Sequence, residues 1–410
     1  MSAECDHDQV SELNLHLKYM LMIAYTHYET DPRVMRAAEA AREGNFEVDV
    51  IALWRSGQPP VELVRGVRVF HLQPRYRGKS RLKYFLHYLG FFMKCAWKVS
   101  RLSLQRRYKV VHVHNMPDAL VFTALVPKLL GAKVILDIHD PMLETYASKY
   151  DSGVRSNEKS LIGALLLLEE KISVAFADST ITVSEPFKNG ILGQRGYRSE
   201  TIIVVANFAD EDLFCPIEYP SFDHVIRFVF HGTIVERYGL GLLLDAVKEC
   251  RNRDRVRIRI IGEGDFSTVL SSRIREYGLG DVVEFQNCMY PLRDIPKVLS
   301  DCHVGLIPLD VRSSRVADFA LPLKLVEYAC LGIPSITVRN AAIEYYFRPD
   351  ECMFFDSGDS RALAHLLDSV AEEPGCLLGY RKQLDNVRLR LSWRREREKY
   401  KALLAELVAS

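Results

Sequence analysis

The residues best suited to chemistry in this sequence are a lysine and a glutamate that stand three positions apart, Lys324 and Glu327. Pro322 precedes them with the fixed φ that suits the first position of a helix, and Gly332 with Pro334 predicts where that helix ends. Both charged residues therefore fall near the helix start, where free backbone N–H groups and the helix dipole favour an anion. The pattern predicts a nucleoside diphosphate site, with Lys324 at the phosphates and Glu327 accepting from the ribose hydroxyls.

A second candidate phosphate site follows the apolar run 228–230, in the sequence His-Gly-Thr-Ile-Val-Glu-Arg-Tyr-Gly. Gly232 lacks a Cβ where the chain would pass close to a ligand, and Thr233 adds a hydroxyl donor. Arg237 could donate two parallel hydrogen bonds to phosphate oxygens. The alternative is an ordinary strand–turn–helix connection with a solvated arginine.

A third glycine loop, Ile-Ile-Gly-Glu-Gly-Asp at 260–265, contains Gly262 and Glu263. A lone Gly-x-Gly is frequent in α/β proteins and is weak evidence of a site. Gly262 would allow close approach of a ligand, whereas Glu263 is equally well explained as a solvated residue.

In the first half of the chain, His139 and Asp140 follow the apolar run 134–138. Ligands of open α/β sheets bind at the carboxyl ends of strands, which makes this pair a candidate. The alternative is a hydrogen-bonded histidine next to an aspartate that caps a helix. His114 and Asp118 flank a similar strand end and are further candidates for the same cleft.

Length and composition predict two α/β domains without identifying a partner. The chain has 410 residues, of which 48% are apolar, and its net charge is +1. Its nine cysteines contain no Cys-x-x-Cys pair, so they are expected to be small buried residues in a reducing compartment. The N-terminus does not resemble a signal peptide, and no apolar run is long enough to span a bilayer. We therefore expect a cytoplasmic protein.

Short apolar runs rich in β-branched residues alternate with helical patterns, which predicts parallel sheets. Asp31 is a natural N-cap for a helix that begins at Pro32 and ends at Gly44. A polar stretch at 207–216 predicts the boundary between domains 1–206 and 207–391, and a charged amphipathic helix covers 392–410. The strands are expected at 19–24, 48–53, 67–71, 110–114, 134–138, 179–183, 202–205, 227–231, 257–261, 283–285, 304–308 and 335–338.

The segment 63–117 contains thirteen lysines and arginines and no acidic residue. Within it, residues 75–109 mix basic side chains with aromatics and leucines, which is typical of an amphipathic helix at an anionic membrane surface. The alternative is a helix whose apolar face packs on the sheet and whose basic face is solvated. Nucleic acid is not an expected partner, because the overall charge is balanced and no binding motif occurs.

The motif Pro-x-Lys-x-x-Glu-Tyr-x-x-x-Gly-x-Pro at 322–334 resembles the nucleotide-sugar loop and helix of retaining GT-B glycosyltransferases of family four, in their bacterial surface-polysaccharide branch. The loop 232–239 resembles the phosphate loop of that family, but Thr233 replaces an arginine and Tyr238 replaces a lysine. Phe319 stands where many members carry a first glutamate, the acid that normally contacts the donor sugar. The neighbouring Asp318 is a possible substitute or an ordinary loop residue.

The resemblance implies an α/β GT-B fold, with two Rossmann-like parallel-sheet domains facing a cleft and the C-terminal helix crossing back onto the first. It places Gly262 and Glu263 on the second-domain wall and His139 near the donor sugar. Asp140 and Glu144 would lie close to the reaction centre. The opening Asp-Pro-Arg-Val of the first helix is similar to that of bacterial members, and the residues expected on the acceptor side are His27, Asp31, Arg33 and Glu144.

The expected function is transfer of a sugar from a nucleotide-diphosphate sugar to a glycan acceptor, lipid-linked and at the inner face of the cell membrane, with retention. Catalytic roles are expected for His139, Asp140, Arg237 and Lys324. No cofactor or metal is expected, because the two cations would neutralise the diphosphate. Two rivals remain, a sugar-nucleotide epimerase and a catalytically silent membrane-associated binding protein. Neither a P-loop nor a Gly-x-Ser-x-Gly elbow occurs, which argues against P-loop nucleotidases and serine hydrolases.

Overall fold

The computed structural model describes residues 18–76, 78, 80–150, 160–313 and 315–409. The described chain forms two α/β units, each built around its own sheet. This agrees with the fold class expected from the alternation of strand and helix patterns.

The first sheet has eight strands in the order β3-β4-β2-β1-β5-β6-β7-β8. All neighbours are parallel except β3 and β4, which form an antiparallel hairpin at one edge. The strands are β1 Lys18–Ala24, β2 Phe46–Trp54, β3 Val61–Val64, β4 Val67–Pro74, β5 Tyr108–His114, β6 Lys133–Ile138, β7 Ser179–Thr182 and β8 Ile202–Val204.

The second sheet has six strands in the order β11-β10-β9-β12-β13-β14, and all its pairs are parallel. Its strands are β9 Ile226–His231, β10 Val256–Ile261, β11 Val283–Gln286, β12 Val304–Ile307, β13 Ser335–Val338 and β14 Met353–Phe355. The predicted strands all occur, with ends within a few residues. Two short edge strands, β3 and β14, were not predicted, because a run of three or four residues is too short to give a clear sequence signal.

Helices cover both sheets and short 3₁₀ turns connect several of them. They are α1 Pro32–Glu43, α2 Arg81–Gln105, α3 Leu125–Leu129, α4 Met142–Tyr150, α5 Leu161–Phe176, α6 Glu185–Phe187, α7 Leu240–Glu249, α8 Ser267–Glu276, α9 Ile295–Val298, α10 Arg315–Phe319, α11 Leu323–Leu331, α12 Ala341–Tyr346, α13 Ser360–Glu372, α14 Cys376–Arg390 and α15 Trp393–Ala409.

Two helices that carry candidate site residues begin and end almost where their sequences predict. Asp31 caps α1 by accepting from the backbone N–H of Arg33 at 3.2 Å, and Gly44 follows its last residue. The start of α11 differs by one residue from the prediction. Pro322 has a ψ of 120° and is the residue before the helix, so α11 begins at Leu323. Gly332 ends α11 with a φ of 75°, a left-handed conformation that suits glycine.

The last helix, α15, crosses back to the first sheet and packs on α1 and β5. Tyr400 and Leu404 are buried there within the apolar cluster that covers this face of the sheet. At the start of α15, the carboxylate of Glu396 accepts from the backbone N–H of Ala206 at 2.8 Å, just before the linker between the sheets. The helix therefore fixes the end of the first unit against the beginning of the second.

Candidate active site

Two glycine loops, at the carboxyl ends of β9 and β10, pack against each other through their backbones. Gly232 has a φ of 117° and Gly262 a φ of 150°, both in the region that favours glycine. A Cβ on Gly262 would lie 1.7 Å from the carbonyl oxygen of Gly232, so no other residue fits there. The backbone N–H of Ile234 donates to the carbonyl of Glu263 at 2.9 Å and ties the loops together. These contacts give both glycines a role in shaping the loops.

Glu327 is buried near the start of α11 and is held in place by a histidine from β9. Nε2 of His231 donates to Oε2 of Glu327 at 2.8 Å, and Nδ1 lies 2.9 Å from the hydroxyl of Tyr328. Burial raises the pKa of Tyr328 well above its usual value, so this hydroxyl stays protonated. The other oxygen of Glu327, Oε1, has no hydrogen bond with a described residue. One carboxylate oxygen is thus fixed by the protein while the other is available.

Lys324 lies between two aromatic rings and beside the first glycine loop. Its Nζ is 3.8 Å from the ring centroid of Phe230 and 4.2 Å from that of Tyr238. Burial lowers the pKa of Lys324 to about 7, and the nearby charge of Glu327 opposes that change. Among the described residues, no carboxylate forms an ion pair with Nζ. A ligand with negative charge would supply the missing partner.

Arg237 and Thr233 are exposed on the loop between β9 and α7. The guanidinium of Arg237 lies 5.6 Å from the ring centroid of Tyr238, so this ring has Arg237 on one side and Lys324 close by. No side chain caps the N-terminus of α11, which leaves its first backbone N–H groups free of a side-chain acceptor. The structure therefore brings the two predicted cations and a helix N-terminus to one end of the second sheet.

A buried carboxylate, Asp137, organises the candidate residues of the first sheet. Its Oδ2 is 2.9 Å from Nε2 of His139, 3.1 Å from Nδ1 of His114 and 3.3 Å from Nε2 of His112. Burial opposes ionisation of Asp137, but the histidines that face it keep its pKa well below the usual value. Burial lowers the pKa of His112 to about 4, and Nδ1 of its ring lies 2.7 Å from the hydroxyl of Tyr400 in α15. His139 thus belongs to a pre-ordered network.

Arg36 connects the two sides of the site. Its guanidinium donates to the carbonyl of Phe208 and to the side chain of Asn207, both in the linker that leaves the first sheet. Burial lowers the pKa of Arg36, and the carboxylates of Asp210 and Glu327 oppose that change. Arg36 of α1 therefore fixes the linker to the first unit through two hydrogen bonds.

The two halves of the chain match two family models. Residues 30–207 match the glycosyl transferase 4-like domain, and residues 218–387 match the glycosyl transferases group 1. Each model covers one of the two α/β units described above. The chain belongs to the group 1 glycosyltransferases.

Curated relatives of this glycosyltransferase align over part of their length. It is 26% identical to the putative colanic acid biosynthesis glycosyltransferase WcaL of Escherichia coli over 185 residues, which are 45% of each chain. It is 24% identical to the chitobiosyldiphosphodolichol beta-mannosyltransferase of Debaryomyces hansenii over 235 residues, 52% of this chain and 48% of the relative. The matched region thus spans about half the length of these relatives.

Solved structures with the same architecture cover nearly the whole glycosyltransferase. Sucrose-phosphate synthase from Thermosynechococcus elongatus superimposes with a TM-score of 0.73 at 18% identity, over 96% of this chain and 99% of that one. Anabaena HepE in complex with UDP-glucose gives a TM-score of 0.67 at 13% identity, over 95% and 99% of the two chains. At these identities the likeness establishes the GT-B fold.

The predicted acceptor-side residues of the glycosyltransferase lie at the carboxyl end of β1. Asp31 caps α1 and pairs with Nε of Arg33 at 3.2 Å. Burial opposes ionisation of Asp31, but the charge and hydrogen bond of Arg33 lower its pKa to about 2. His27 is buried, and burial lowers its pKa. Asp31 is fully explained as a structural residue, whereas Arg33 also lines a cavity of about 30 Å³ next to Asp137.

Two other predicted residues of the first unit have different surroundings. Glu144 is buried, and both its oxygens accept from Arg195, which also pairs with Glu170. The carboxylate of Glu144 is therefore already paired with an arginine of the protein. Asp140 is exposed directly after His139, and its backbone carbonyl accepts from Asn115 at 2.6 Å.

The position of the missing first glutamate has a structural explanation. The ring of Phe319 packs on the first unit so closely that a Cβ on Gly190 would fall 2.0 Å from it. Oδ1 of Asp318 accepts from the backbone N–H of Ala341 at 3.1 Å, at the start of α12. Phe319 therefore joins the two units, and Asp318 supports a helix start.

Sequence reasoning missed two residues that the structure places at the centre of the site, His231 and Asp137. His231 directly precedes Gly232, and its position as the last residue of an apolar strand was the available signal. Asp137 lies within the apolar run 134–138, where a lone acidic residue in a parallel strand requires a buried partner. Neither residue was assigned a role because its partners come from other segments.

Proposed function

We propose that this protein transfers a sugar from a nucleotide-diphosphate sugar to a glycan acceptor, with retention, in the biosynthesis of a surface polysaccharide. The observation that carries this proposal is the convergence of Glu327, Lys324 and Arg237 at the uncapped start of α11. Glu327, oriented by His231, would accept from ribose hydroxyls through its available oxygen. Lys324 and Arg237 would neutralise the diphosphate.

The chemical problem is departure of the diphosphate while the sugar gains oxocarbenium character. The bond between the anomeric carbon and the phosphate oxygen breaks, and a bond from the acceptor hydroxyl to the same carbon forms. The acceptor proton passes to the departing phosphate, so no separate protein base is required for retention. Fixed cations and helix N–H groups that face the developing phosphate charge would supply the main stabilisation.

His139 would orient the donor sugar from the first unit. Its Nε2 is engaged with Asp137, and its Nδ1 has no hydrogen-bond partner among the described residues. With the proton on Nε2, Nδ1 is an acceptor that a sugar hydroxyl could satisfy. The Asp137 network fixes the tautomer and the ring orientation in advance. This division of roles, with phosphates on the second sheet and sugar on the first, is the arrangement that we propose.

The first test is binding of UDP, GDP, dTDP and CMP to the full chain, followed by thermal unfolding. A ligand at about 100 times its dissociation constant adds roughly 2.7 kcal/mol to the unfolding free energy, which is readily measured. Glu327→Gln and Arg237→Ala should each weaken binding of the preferred nucleotide by about tenfold or more, since each removes a hydrogen bond to a charged group. Arg275→Ala, an exposed position in α8, is the matched control.

A diphosphate that stabilises the wild type and the control, but much less the two site variants, would support the proposed site and identify the base. No stabilisation by any nucleotide would overturn the transferase proposal in favour of a silent binding protein. The product's anomeric configuration, read by NMR after turnover, separates retention from inversion. An interconverted sugar nucleotide without transfer would instead identify an epimerase.

The acceptor is proposed to be lipid-linked because of the surface formed by α2. The inward face of this helix carries Phe91, Cys95 and Val99, which are buried in the core. Its outward face is also apolar at helical spacing, with exposed side chains at Leu82, Phe85, Leu86, Leu89, Met93, Trp97 and Leu104. A solvated basic face was the alternative, and an outward apolar stripe does not fit it.

Two further helices extend this apolar surface. α2 and α5 both pack on the 3₁₀ segment Asp118–Ala124, and α3 follows that segment directly. The exposed apolar residues of α3 and α5 are Leu125, Leu129, Leu161, Ile162, Leu165, Leu168 and Ile172. No helix among the described residues is long and apolar enough to cross a membrane. Together with the basic residues of 75–109, this surface supports peripheral contact with the inner leaflet.

Flotation with anionic vesicles tests the membrane contact separately from nucleotide binding. Phe85→Ser and Trp97→Ser should each reduce the bound fraction, because each removes an exposed aromatic side chain worth about tenfold in partitioning. Leu378→Ser changes another exposed apolar residue, in α14 of the second unit, and serves as the control. Binding that is unchanged in both α2 variants would remove this part of the proposal.

A further inference from the structure

A cluster of one histidine and two glutamates lies at the first sheet, apart from the Asp137 network. His71 is in β4, Glu62 is in the neighbouring β3, and Glu29 is in the 3₁₀ turn Tyr28–Thr30. Nε2 of His71 is 3.5 Å from Oε2 of Glu62 and 3.9 Å from Oε1 of Glu29. The three ligand atoms all lie within 4.8 Å of one another. The three residues are far apart in sequence, so no spacing motif predicts that they meet.

The orientation of His71 distinguishes this cluster from an ordinary group of surface acids. Its side chain is 0% exposed, and its Nδ1 lies 3.2 Å from the carbonyl oxygen of Leu53. A carbonyl only accepts, so Nδ1 carries a proton and donates. Nε2 faces two carboxylates, and in the neutral ring it has a lone pair that can bind a cation. Nε2 has no hydrogen-bond partner among the described residues, and neither do the buried Oε2 atoms of Glu29 and Glu62. The neutral Nε2 and the carboxylate oxygens that face it repel each other unless a metal ion or a proton lies between them.

We propose that Glu29, Glu62 and His71 form a divalent-cation site whose best-fitting ion is Zn²⁺. One imidazole nitrogen and two carboxylates are ligands that zinc takes, at about 2.1 Å, and tetrahedral geometry at that length separates ligands by about 3.4 Å. The distances of 3.5 and 3.9 Å from Nε2 are close to that separation. The glutamate side chains are 26% and 38% exposed, so the fourth position opens to water.

Neighbouring groups already orient the three ligands. The carbonyl of Leu53 fixes the tautomer of His71, and Nε2 of Gln58 donates to Oε1 of Glu29 at 2.8 Å. Contacts of this kind around a metal ligand set its direction and basicity. The nearby guanidinium of Arg55 donates to Thr30 Oγ1 at 3.1 Å and forms no ion pair with a described carboxylate, so it does not neutralise the cluster.

The ion would join the β3–β4 hairpin to the turn that precedes α1. Glu29 is two residues from both His27 and Asp31, so the bound ion would restrain the loop that the proposed function places on the acceptor side. That consequence rests on the proposed function, but binding of the ion does not. The site has a positioning role, because its ligands do not reach the proposed reacting groups on the second sheet.

The test is calorimetric titration of ZnCl₂ into the full chain after treatment with chelator, with MgCl₂ and MnCl₂ as comparisons. We expect one Zn²⁺ per chain and a higher melting temperature in its presence. Glu62→Gln should weaken that binding at least about 100-fold. Glu39→Gln, which changes a half-buried glutamate of α1 that pairs with Arg65, should leave it unchanged. Cobalt substitution gives a visible spectrum that reports the ligand set, and His71→Gln should alter it.

Two results would overturn the site. Zinc binding that is unaffected by Glu62→Gln and by His71→Gln would place the ion elsewhere, for instance on the exposed Cys215 or Cys376. Absence of binding, with NMR showing both nitrogens of His71 protonated, would mean that a proton fills the cluster. Nucleotide binding measured in the same samples separates failure of this site from failure of the proposed function, since Glu327 and Lys324 are untouched by either variant.

Discussion

The two sides of the proposed site hold their charges in opposite ways. On the second sheet, Lys324 has aromatic neighbours and, among the described residues, no carboxylate paired with it, and burial lowers its pKa to about 7. On the first sheet, Asp137 faces three histidines at 2.9 to 3.3 Å within a buried network. On the second sheet, Lys324 lacks a negatively charged partner, which a ligand must bring. On the first sheet, Asp137 already has its partners in the histidines of the protein.

This difference predicts separate consequences for affinity and for stability. Changes on the first sheet break contacts that the folded protein already makes, so they should lower both stability and turnover. Changes at Lys324 and Arg237 on the second sheet remove cations that have no carboxylate partner among the described residues, so they should act on ligand affinity. The following variants test whether the two sides separate in this way.

The largest effect is expected from Asp137→Asn. Loss of the carboxylate charge leaves three buried imidazoles without their common partner and should lower the free energy of unfolding by about 3 kcal/mol, with loss of transfer activity. Urea unfolding measures the first quantity. Asp254→Asn, at an exposed position, is the control. An unchanged midpoint for Asp137→Asn would mean that the network does not stabilise the first sheet.

His139→Gln and His112→Gln should separate catalysis from stability within the same network. His139 is the proposed contact with the sugar, so its replacement should reduce kcat by about 100-fold through loss of orientation. His112 is in β5, two residues before His114, and its ring contacts Tyr400 of α15. Its replacement should therefore mainly lower the melting temperature. Steady-state kinetics and thermal unfolding of both variants give the comparison. Equal kinetic losses would contradict a special role for His139.

The affinity for a nucleoside diphosphate should fall as pH rises from 7 to 9. In the free protein the pKa of Lys324 is lowered to about 7, so this amine loses its charge across that range, while a bound diphosphate favours the charged form. The affinity can fall by at most about tenfold per pH unit. The phosphate itself, with a pKa near 6, stays ionised throughout this range. Calorimetry at several pH values measures the slope.

Lys324→Met should bind the diphosphate weakly at pH 7 and lose most of this pH dependence. It should also raise the melting temperature of the free protein, because an ammonium group in this partly buried position is unfavourable below its unfolded pKa. A slope that persists in Lys324→Met would assign the titration to another group.

The smallest effect is expected from Asp318→Asn. The variant weakens one hydrogen bond at the start of α12 and should cost about 0.5 to 1 kcal/mol of unfolding free energy, with nucleotide affinity unchanged. Parallel thermal unfolding and nucleotide titration check both statements. A clear change in affinity for the intact nucleotide sugar, but not for the nucleotide, would instead give Asp318 the sugar contact of the missing glutamate.

The fold was predictable from the sequence because its signals are local. Each of the longer parallel strands is visible in the sequence as a run of apolar residues. The starts and ends of α1 and α11 are marked by residues in their own sequences. The second-sheet side of the site was predictable for the same reason, since Lys324 and Glu327 lie on one helix and Gly232 and Arg237 on one loop. The edge strands β3 and β14 were missed because their few residues have no distinctive pattern.

The first-sheet side was predictable only in part. His139 was found from its place after a strand, but the Asp137 network joins β5, β6 and α15, and no spacing relates these segments. Glu144 was expected near the acceptor. Its pairing with Arg195 depends on how the later 3₁₀ turn Gly193–Arg195 packs against α4.

The sequence alone determined the alternation of strands and helices, the ends of the helices that carry the site, and the family to which the chain belongs. These features depend on neighbours within a few residues, through backbone hydrogen bonds, capping and apolar spacing. Tertiary structure decided which oxygen of Glu327 is free, which histidines share Asp137, and that Glu29, Glu62 and His71 meet. Those outcomes depend on burial and on contacts between distant segments, because burial sets the cost of an unpaired charge and packing decides which partner satisfies it.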